Sequence, residues 1–239
     1  MLGILLVDKP VGISSHDAVY RVRKRLGIRR VGHLGTLDPL ATGLLVMGIG
    51  YATRFLEYVP AEPKEYIGEI RLGISTSTQD AEGEVLAEKP GEGIVLADIQ
   101  RAARSFLGET EQVPPMHSAV TVGGRRLYDL ARKGIEIERP ARKIHVFAFD
   151  IWSVADGLAR FRIVCSGGTY VRTVASDLGD LLGVGAHLAS LRRSKVGEFK
   201  VEAAKASERV SGNDLIPLRD ALADLPSLLL QPEEAARLR

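Results

Sequence analysis

Strand-like and helix-like segments follow one another in this chain without a repeating unit. The apolar run at 2–7 and the alternating run at 158–165 predict strands, whereas the apolar period at 171–182 predicts a helix. Because strands and helices do not alternate regularly, a doubly wound parallel sheet does not fit, and no internal repeat suggests a solenoid. A length of 239 residues suits one large domain with a small appendage. The pattern predicts a mixed α/β protein of the α+β kind.

Local cap signals place the helix boundaries. Ser14 or Ser15 can cap a helix that Gly27 ends, because a short hydroxyl side chain satisfies the first amides and glycine accepts the left-handed turn. Thr169 is the expected cap of the helix at 171–182. The other predicted segments are strands at about 44–49, 65–73 and 84–87, a helix at about 98–107 and a loop-rich excursion over 113–143.

A further strand is predicted at 144–151. Its alternation would place Phe147, Phe149 and Ile151 on one face of a sheet. The excursion at 113–143 shows no pattern of regular structure except for a short helix predicted near 125–133. Loops of this length in a compact domain are usually functional or disordered.

Charge is segregated along the chain although the formal net charge is only +2. The segments 21–30 and 124–143 are basic, whereas the segment 80–111 is mainly acidic. A partner that is a polyanion and touches one face would favour this arrangement, because each neutralised phosphate releases counterions. Solvated helix faces are the ordinary alternative.

Several classes of protein are excluded by what the sequence lacks. No apolar run reaches the roughly 18 residues of a membrane span, and the first residues lack the basic leader and cleavage site of a signal peptide. The single Cys165 cannot form an internal disulfide, and the five scattered histidines show no zinc-site spacing. Motifs for nucleotide hydrolysis and for dinucleotide binding are missing. We expect a cytoplasmic protein without a metal.

Asp38 is the first candidate for chemistry. It stands between Leu37 and Pro39, and a following proline disfavours the helical backbone, so the carboxylate is held on a rigid turn. Capping a one-turn helix over 39–42 is the structural alternative. No second carboxylate in a comparable motif appears beside Asp38, which argues against a sugar hydrolase.

Arg172 lies in the first turn of a predicted helix, where its charge opposes the positive end of the helix dipole. A partly buried carboxylate would compensate, and a carboxylate that is paired with arginine stays ionised at neutral pH. Tyr66 and Tyr170 are either core residues or, where exposed, platforms on which a base stacks.

The segment Arg30–Gly43 resembles the signature of the TruB family, bacterial tRNA pseudouridine synthases that act on uridine 55 of the TΨC loop. His117 and Val120 depart from the aromatic residue and the lysine that family members usually carry there. The other matching segments, which follow in family order, are Asp8–His16, Lys64–Tyr66, Gln112–Met116 with Gly124–Tyr128, Gly167–Arg172 and Leu191–Arg193.

The resemblance implies a cofactor-free isomerisation within a mixed, largely antiparallel sheet that is flanked by helices and loops. Asp38 matches the nucleophile, Arg172 its ion-pair partner and Tyr66 the ring that stacks on the flipped base. His33 matches a histidine that helps to hold the RNA, although an ordinary turn histidine would look the same. The expected substrate-binding residues are His33, Lys64, Tyr170, Leu191, Arg29 and Arg30. We further expect Arg192, Arg193 and Lys195 to contact tRNA phosphates, and the other four histidines to be structural.

The expected organisation is a catalytic domain over 1–215, with an RNA-binding excursion at 113–143. The segment 216–239 resembles the start of a PUA domain at Leu225–Glu233, and the rest of that domain is expected to be absent or truncated. We expect a monomer that binds the T stem-loop of tRNA and needs no protein partner.

Two other functions stay open at this stage. The chain could modify another RNA, as guide-dependent relatives do, although Leu40-Ala41-Thr42-Gly43 favours the stand-alone tRNA enzyme. It could also be a tRNA-folding chaperone, which the retention of Asp38 and Arg172 argues against.

Overall fold

A computed structural model describes residues 1–91, 93–118, 120–131, 133–228 and 231. The strands are β1 Gly3–Lys9, β2 Val31–Leu34, β3 Thr42–Ile49, β4 Lys64–Leu72, β5 Ile74–Thr76, β6 Val85–Glu88, β7 Gly108–Gln112, β8 Thr121–Val122, β9 Arg125–Arg126, β10 Arg142–Ala155, β11 Leu158–Cys165, β12 Ala186–Val196, β13 Phe199–Lys200 and β14 Lys205–Ala206. The α-helices are α1 Ser15–Leu26, α2 Leu96–Arg104, α3 Leu127–Ala131, α4 Val171–Leu181 and α5 Leu218–Ala221. Short 3₁₀ helices lie at Gly50–Arg54, Leu56–Tyr58, Val201–Ala203 and Gly212–Asp214.

One large sheet organises the molecule, in the order β14-β1-β3-β12-β4-β11-β10-β7, with β2 also paired to β3 and β13 to β12. The pairs β1–β14 and β3–β12 are parallel and the other pairs are antiparallel. The prediction of a mixed, largely antiparallel sheet is confirmed. The strands β3 and β4 do not pair with each other, because β12 lies between them and joins the two halves of the sheet.

Helices cover the sheet and form its cores. α2 and α4 pack against β4, β10, β11 and β12, where Ile99, Val174 and Phe161 are among the buried side chains. α1 covers β1, β2 and β3, with Val19 and Val22 buried against them. The opposite side of β1 and β3 is covered by the 3₁₀ helices at Gly50–Arg54 and Leu56–Tyr58 and by α5. The end of the sheet that carries β1 and β3 is therefore buried on both faces.

The boundaries predicted for α1 are confirmed by its caps. Ser14 accepts a hydrogen bond from the amide of Asp17, and the Asp17 carboxylate accepts one from the Ser14 amide in return, so two orphan amides of the first turn are satisfied. Gly27 ends the helix in the left-handed conformation, at φ 65°. These signals are local, which is why the sequence alone predicts them.

The prediction that Phe147, Phe149 and Ile151 share a face is wrong for Phe147. Phe149 and Ile151 are buried, whereas Phe147 is exposed and stacks against His145. A register shift between Val146 and Ala148, where β10 pairs with β11, changes the phase of the strand. A β-bulge adds one residue to one strand, so the side chains after it exchange faces.

Thr169 is not the cap of α4. The residue at the cap position is Tyr170, which makes no side-chain cap bond. Gln112, at the end of β7, accepts a hydrogen bond from the Tyr170 amide (2.8 Å) and donates one to the Tyr170 carbonyl (3.1 Å). A side chain that is distant in sequence therefore fixes the start of the helix that carries Arg172.

The excursion at 113–143 contains the short hairpin β8–β9 and the helix α3, close to where a helix is predicted. Of the segment that resembles a PUA strand, residues 229, 230, 232 and 233 lie outside the described residues, so the boundary at 215/216 stays a prediction. Ile216 exchanges two backbone hydrogen bonds with Ile4, both of 2.8 Å, which ties this part of the chain to β1. None of the helices in the described ranges is long and apolar enough to cross a membrane.

Candidate active site

A cavity of about 660 Å³ opens where the start of α4 faces β4 and β12. The loop between β2 and β3 forms one wall, and residues of the 113–143 excursion form another. Of the residues predicted from the sequence, the cavity wall includes Asp38, Tyr66, Arg172, Lys64, Tyr170 and Leu191. His33, Arg29 and Arg30 do not line it. Distant parts of the sequence thus converge on one concave site, which suits the binding of a small group or a single nucleoside.

The turn that carries Asp38 is fastened by backbone and side-chain hydrogen bonds. Ser15 accepts from the Leu37 amide (2.8 Å) and donates to the Leu37 carbonyl (3.0 Å), and the Pro39 carbonyl accepts from the Gly12 amide (2.9 Å). No helix forms over 39–42, and β3 begins at Thr42. The alternative role of Asp38 as a helix cap is therefore wrong, and its carboxylate is free to face the cavity.

Lys9 also fastens this turn, and sequence reasoning missed it. Its side chain is 0% exposed, and its ammonium group donates to the carbonyls of Pro10, Ile13 and Pro39 at 2.7 to 3.3 Å. Burial lowers the pKa of Lys9 to about 8, although the nearby Asp38 charge acts in the opposite direction. A basic residue inside an apolar strand, just before Pro10, is the sequence signal that could have identified this role.

Arg172 lies between two carboxylates. One guanidinium nitrogen, Nη1, is 2.7 Å from Asp38 Oδ2 and 3.6 Å from Asp80 Oδ2, and the Arg172 side chain is only 5% exposed. The other terminal nitrogen donates to the His117 carbonyl. The expectation that a carboxylate compensates Arg172 is therefore confirmed by the geometry. His117 departs from the family pattern, but the bond to Arg172 is unaffected because the backbone carbonyl of His117 accepts it.

A second carboxylate, Asp80, lies on the other side of Arg172, although it belongs to no motif comparable to that of Asp38. It is buried, and it accepts hydrogen bonds from the Thr78 hydroxyl (2.5 Å) and the Glu82 amide (3.1 Å). Gln79, before it, has a positive φ of 65° and receives a hydrogen bond from Thr173 of α4. The local sequence gives no sign of this placement, since Asp80 simply begins an acidic segment.

The surroundings raise the pKa of the Asp38 carboxyl above its usual value. Burial among the cavity walls is the main cause; the Arg172 charge opposes it and the Asp80 charge adds to it. The Asp38 side chain is 42% exposed, but the exposed part faces the cavity. Arg172 favours the ionised carboxylate and burial favours the neutral one, so the charge of Asp38 depends closely on its neighbours.

The floor of the cavity is formed by neighbouring positions of β4 and β12. Tyr66 pairs with Arg193 across the two strands, and Leu191 packs in the same core. Tyr66 is only 7% exposed, and burial raises the pKa of its phenol. It is therefore a core residue and a cavity residue at once. Lys64 also lines the cavity, and burial together with the charge of Arg193 lowers its pKa.

Arg193 is buried beneath the cavity, which argues against the expectation that it tracks tRNA phosphates at the surface. It is 1% exposed, and it donates to the carbonyls of Leu44 (2.8 Å) and Gly35 (2.9 Å). It makes no ion pair with any acid in the described ranges. Its role is to hold the β2–β3 loop against β12 and to keep a positive charge under the cavity. Arg192 pairs with Asp8, and Lys195 with Glu198.

Tyr170 and two histidines complete the rim. The Tyr170 ring faces the Arg172 guanidinium at 5.6 Å. His33 accepts or donates a hydrogen bond with Thr36 (3.2 Å), and its ring contacts His16 edge to face at 5.5 Å. His16, which we expected to be structural, lines the cavity, as does His117. His145 and His187 lie away from it, and His187 is bonded to the Ile74 carbonyl.

Metal ligands are not grouped in this site. Among the described residues, no cluster of three or more histidines, cysteines or acids could hold a metal ion. What the site does offer is a carboxylate paired with a buried arginine, a buried cation on each side of the Asp38 turn and an aromatic floor.

Comparisons with known proteins match these features to a family. Residues 23–171 match the model of the TruB family pseudouridylate synthase N-terminal domain, and residues 172–234 match the tRNA pseudouridylate synthase B C-terminal domain. The junction falls inside α4, beside Arg172, so both models contribute to the same sheet and the same cavity.

Relatives and a solved structure agree with the family models. The tRNA pseudouridine synthase B of Symbiobacterium thermophilum is 45% identical over 99% of this chain and 81% of that protein. The protein of that name from Moorella thermoacetica is 46% identical over 98% of this chain and 80% of its own length. A chain of a Cbf5–Nop10–Gar1 complex superposes with a TM-score of 0.65 at 30% identity, over 84% of this chain and 51% of that one. The chain therefore belongs to the TruB family of pseudouridylate synthases.

Proposed function

We propose that this pseudouridine synthase converts uridine 55 in the TΨC loop of tRNA to pseudouridine. The observation that carries the proposal is the ion pair of Asp38 and Arg172, 2.7 Å apart, at the wall of a cavity floored by Tyr66. A volume of about 660 Å³ lies in the range of sites for small ligands, so it has room for one flipped nucleoside and not for a duplex.

The reaction rearranges one bond and needs no redox partner. The glycosidic bond between C1′ and N1 breaks, the uracil turns, and a bond between C1′ and C5 forms. N1 then gains a proton and C5 loses one, so atoms and electrons balance without a cofactor. Asp38 acts as the nucleophile, on the base or on the sugar, and these two routes share the same requirement for an ionised carboxylate.

Arg172 and Asp80 set the charge of the nucleophile. Arg172 keeps Asp38 ionised and fixes the direction of its carboxylate, and Asp80 fixes Arg172 from the other side. The ring of Tyr66 supports the flipped base, with Leu191 beside it as an apolar wall. Because the groups are held before substrate arrives, little reorganisation is needed at the moment of reaction.

Residues at the rim hold the RNA. Lys64 and Tyr170 are on the cavity wall and can contact the flipped nucleotide, whereas His33, Arg29 and Arg30 lie outside it along β2 and its approach. We assign these three to the RNA stem-loop that carries the target. In this proposal the enzyme acts in the cytoplasm as a monomer and finds its target without a protein partner.

Mapping of pseudouridine tests the proposal directly. The protein is incubated with an unmodified tRNA transcript, and pseudouridines are located by chemical derivatisation and sequencing. Conversion at the T-loop uridine alone supports the proposal, provided that Asp38→Asn protein gives none. Conversion of another RNA only, or binding without conversion by the wild type, would contradict it and would favour a different substrate or a chaperone.

A further inference from the structure

A cluster of two arginines and a tyrosine lies outside the cavity, where β2 begins. The Arg30 guanidinium lies over the Tyr51 ring at 4.7 Å, and that of Arg54 lies 5.7 Å from the centre of the same ring. Tyr51 is 64% exposed, and both arginines are exposed as well. We call these three residues the Tyr51 cluster.

The charges of the Tyr51 cluster are not neutralised within the described part of the chain. Neither Arg30 nor Arg54 forms an ion pair there, and Glu57, the nearest acid along the chain, forms none either. Two guanidinium groups that converge on one ring repel each other. Attraction to the ring offsets part of this repulsion, and an anion bound between them would offset the rest.

Other arginines on this side of the molecule already have protein partners. Arg21 pairs with Glu208, Arg23 donates to the Val31 carbonyl and Arg25 donates to the Val210 carbonyl. Arg30 and Arg54 therefore differ from Arg21, Arg23 and Arg25, whose donors are already in use. This difference separates a binding feature from a merely solvated basic face.

The Tyr51 cluster has a fixed position relative to the cavity. The Gly50 amide donates to the Arg30 carbonyl (2.8 Å), so the residues before β2 and after β3 are joined. From Arg30, β2 leads to Gly35 and the Asp38 turn, and four strand residues span about 13 Å. An anion at this cluster would thus lie about one short strand away from the mouth of the active site.

We infer that Arg30 and Arg54, supported by Tyr51, together bind one backbone phosphate of the RNA whose uridine enters the cavity. This inference rests on the proposed function, because it needs an RNA substrate. A polymer that places one nucleotide in the cavity must pass its neighbouring phosphates over the rim. Guanidinium groups suit a phosphate because their donors match two of its oxygens.

The salt dependence of tRNA binding tests the inference. Filter binding of an unmodified tRNA transcript is measured over a series of salt concentrations for wild type, Arg30→Gln, Arg54→Gln and the double variant. Each single variant should bind about 3- to 10-fold more weakly and lower the log–log slope by about 0.7 to 0.9, the value for one phosphate. Because the two arginines share that phosphate, the double variant should lower the slope no further.

Arg104→Gln is the matched control. Arg104 ends α2, is exposed, and makes no ion pair in the described ranges, but α2 packs against β10 near the opposite end of the sheet. This variant should bind as the wild type does. Slopes of Arg30→Gln and Arg54→Gln that equal the slope of Arg104→Gln would overturn the inference, and so would a double variant that loses twice the slope of a single one.

Variants of Tyr51 test separately whether its ring supports the two arginines. Tyr51→Phe keeps a ring and should keep wild-type affinity, whereas Tyr51→Leu should weaken tRNA binding about as much as either arginine variant, with an unchanged melting temperature. Equal affinities of the two variants would contradict a role for the ring. If wild type forms no pseudouridine in tRNA yet the arginine variants lose a phosphate contact, the proposed function fails and the phosphate site stands.

Discussion

At the scale of single residues, the role proposed for Asp38 predicts different effects on catalysis and on binding. Asp38→Asn keeps the shape of the side chain but removes the anion, so we expect turnover to fall about 10³-fold or more while tRNA affinity stays within a few-fold. Asp38→Glu should lose about 10²-fold, because one methylene moves the reacting oxygen by about 1 Å. The measurement is single-turnover pseudouridine formation beside filter binding. A tenth of wild-type turnover in Asp38→Asn would be incompatible with a nucleophilic carboxylate.

The pH dependence of turnover should depend on the charges next to Asp38, because they shift the pKa of its carboxyl. In the proposed mechanism the carboxylate acts in its ionised form, so activity is present above its pKa and is lost as the pH falls through it. Since that pKa is raised, the loss should occur at a higher pH than for an ordinary aspartate. Asp80→Asn removes a like charge and should move the acid limb to lower pH, whereas Arg172→Met removes the opposite charge and should move it to higher pH.

Both variants should also turn over more slowly, because each disturbs the position of Arg172 or of Asp38. Single-turnover rates measured across the acid range give the midpoint of the limb independently of the maximum rate. A shift of both limbs in the same direction would show that charge does not set the Asp38 pKa.

The site residues that the sequence predicts differ from those that it does not predict in how unusual each residue is within its own segment. Asp38 and Arg172 could be predicted because each is unusual locally, one by its rigid turn and the other by its place in the helix dipole. Asp80, Lys9 and Arg193 carry no local peculiarity that strong. Their roles depend on which strands become neighbours and in what register, and a single sequence does not contain that information in any one segment.

At the scale of elements, the contact between β3 and β12 holds the Asp38 turn against the cavity floor. Gly43 lies directly opposite Arg193 in this parallel pair, at φ +98°, and a Cβ there would clash with the Arg193 backbone. Gly43→Ala should therefore destabilise the fold by about 2–5 kcal/mol, from left-handed strain of roughly 1–2 kcal/mol together with overpacking of roughly 1–3 kcal/mol.

Gly12→Ala is the matched control for this substitution. Gly12 has a φ of +82° but no atom within 4 Å of the added Cβ, so only the strain remains, about 1–2 kcal/mol. Urea unfolding of both variants measures the difference. Equal losses of stability would mean that the close approach of the two strands is unimportant.

Element boundaries were predicted best where their signals are local. The capping pair of Ser14 and Asp17 and the Gly27 stop needed no tertiary information. The bulge in β10 could not be seen, because an extra residue in one strand is defined only against its partner strand. The prediction of the α4 cap is wrong for a related reason: Gln112, which bonds to the start of this helix, comes from another part of the sheet.

At the scale of the whole molecule, the distribution of charge should dominate the binding of tRNA. The formal net charge is only +2, yet basic groups face the approach to the cavity. Other basic residues, such as Arg162 and Arg192, are already neutralised by ion pairs within the protein. Each phosphate contacted should contribute about −0.7 to −0.9 to the log–log slope of affinity against salt, so three contacts would give about −2. Filter binding of tRNA over a salt series checks this, and a flat response would contradict an electrostatic interface.

The position of β12 between β3 and β4 also affects when the cavity can form during synthesis. Asp38 and Tyr66 are synthesised early, but the strand that joins their two halves of the sheet comes only at Ala186–Val196. Contacts between segments so far apart in sequence form slowly, because a long loop must close before they stabilise anything. A nascent chain still short of β12 thus lacks half of the cavity floor, although Ser15, Gly12 and Lys9 can already fasten the Asp38 turn. The complete cavity therefore cannot form until synthesis has passed Val196.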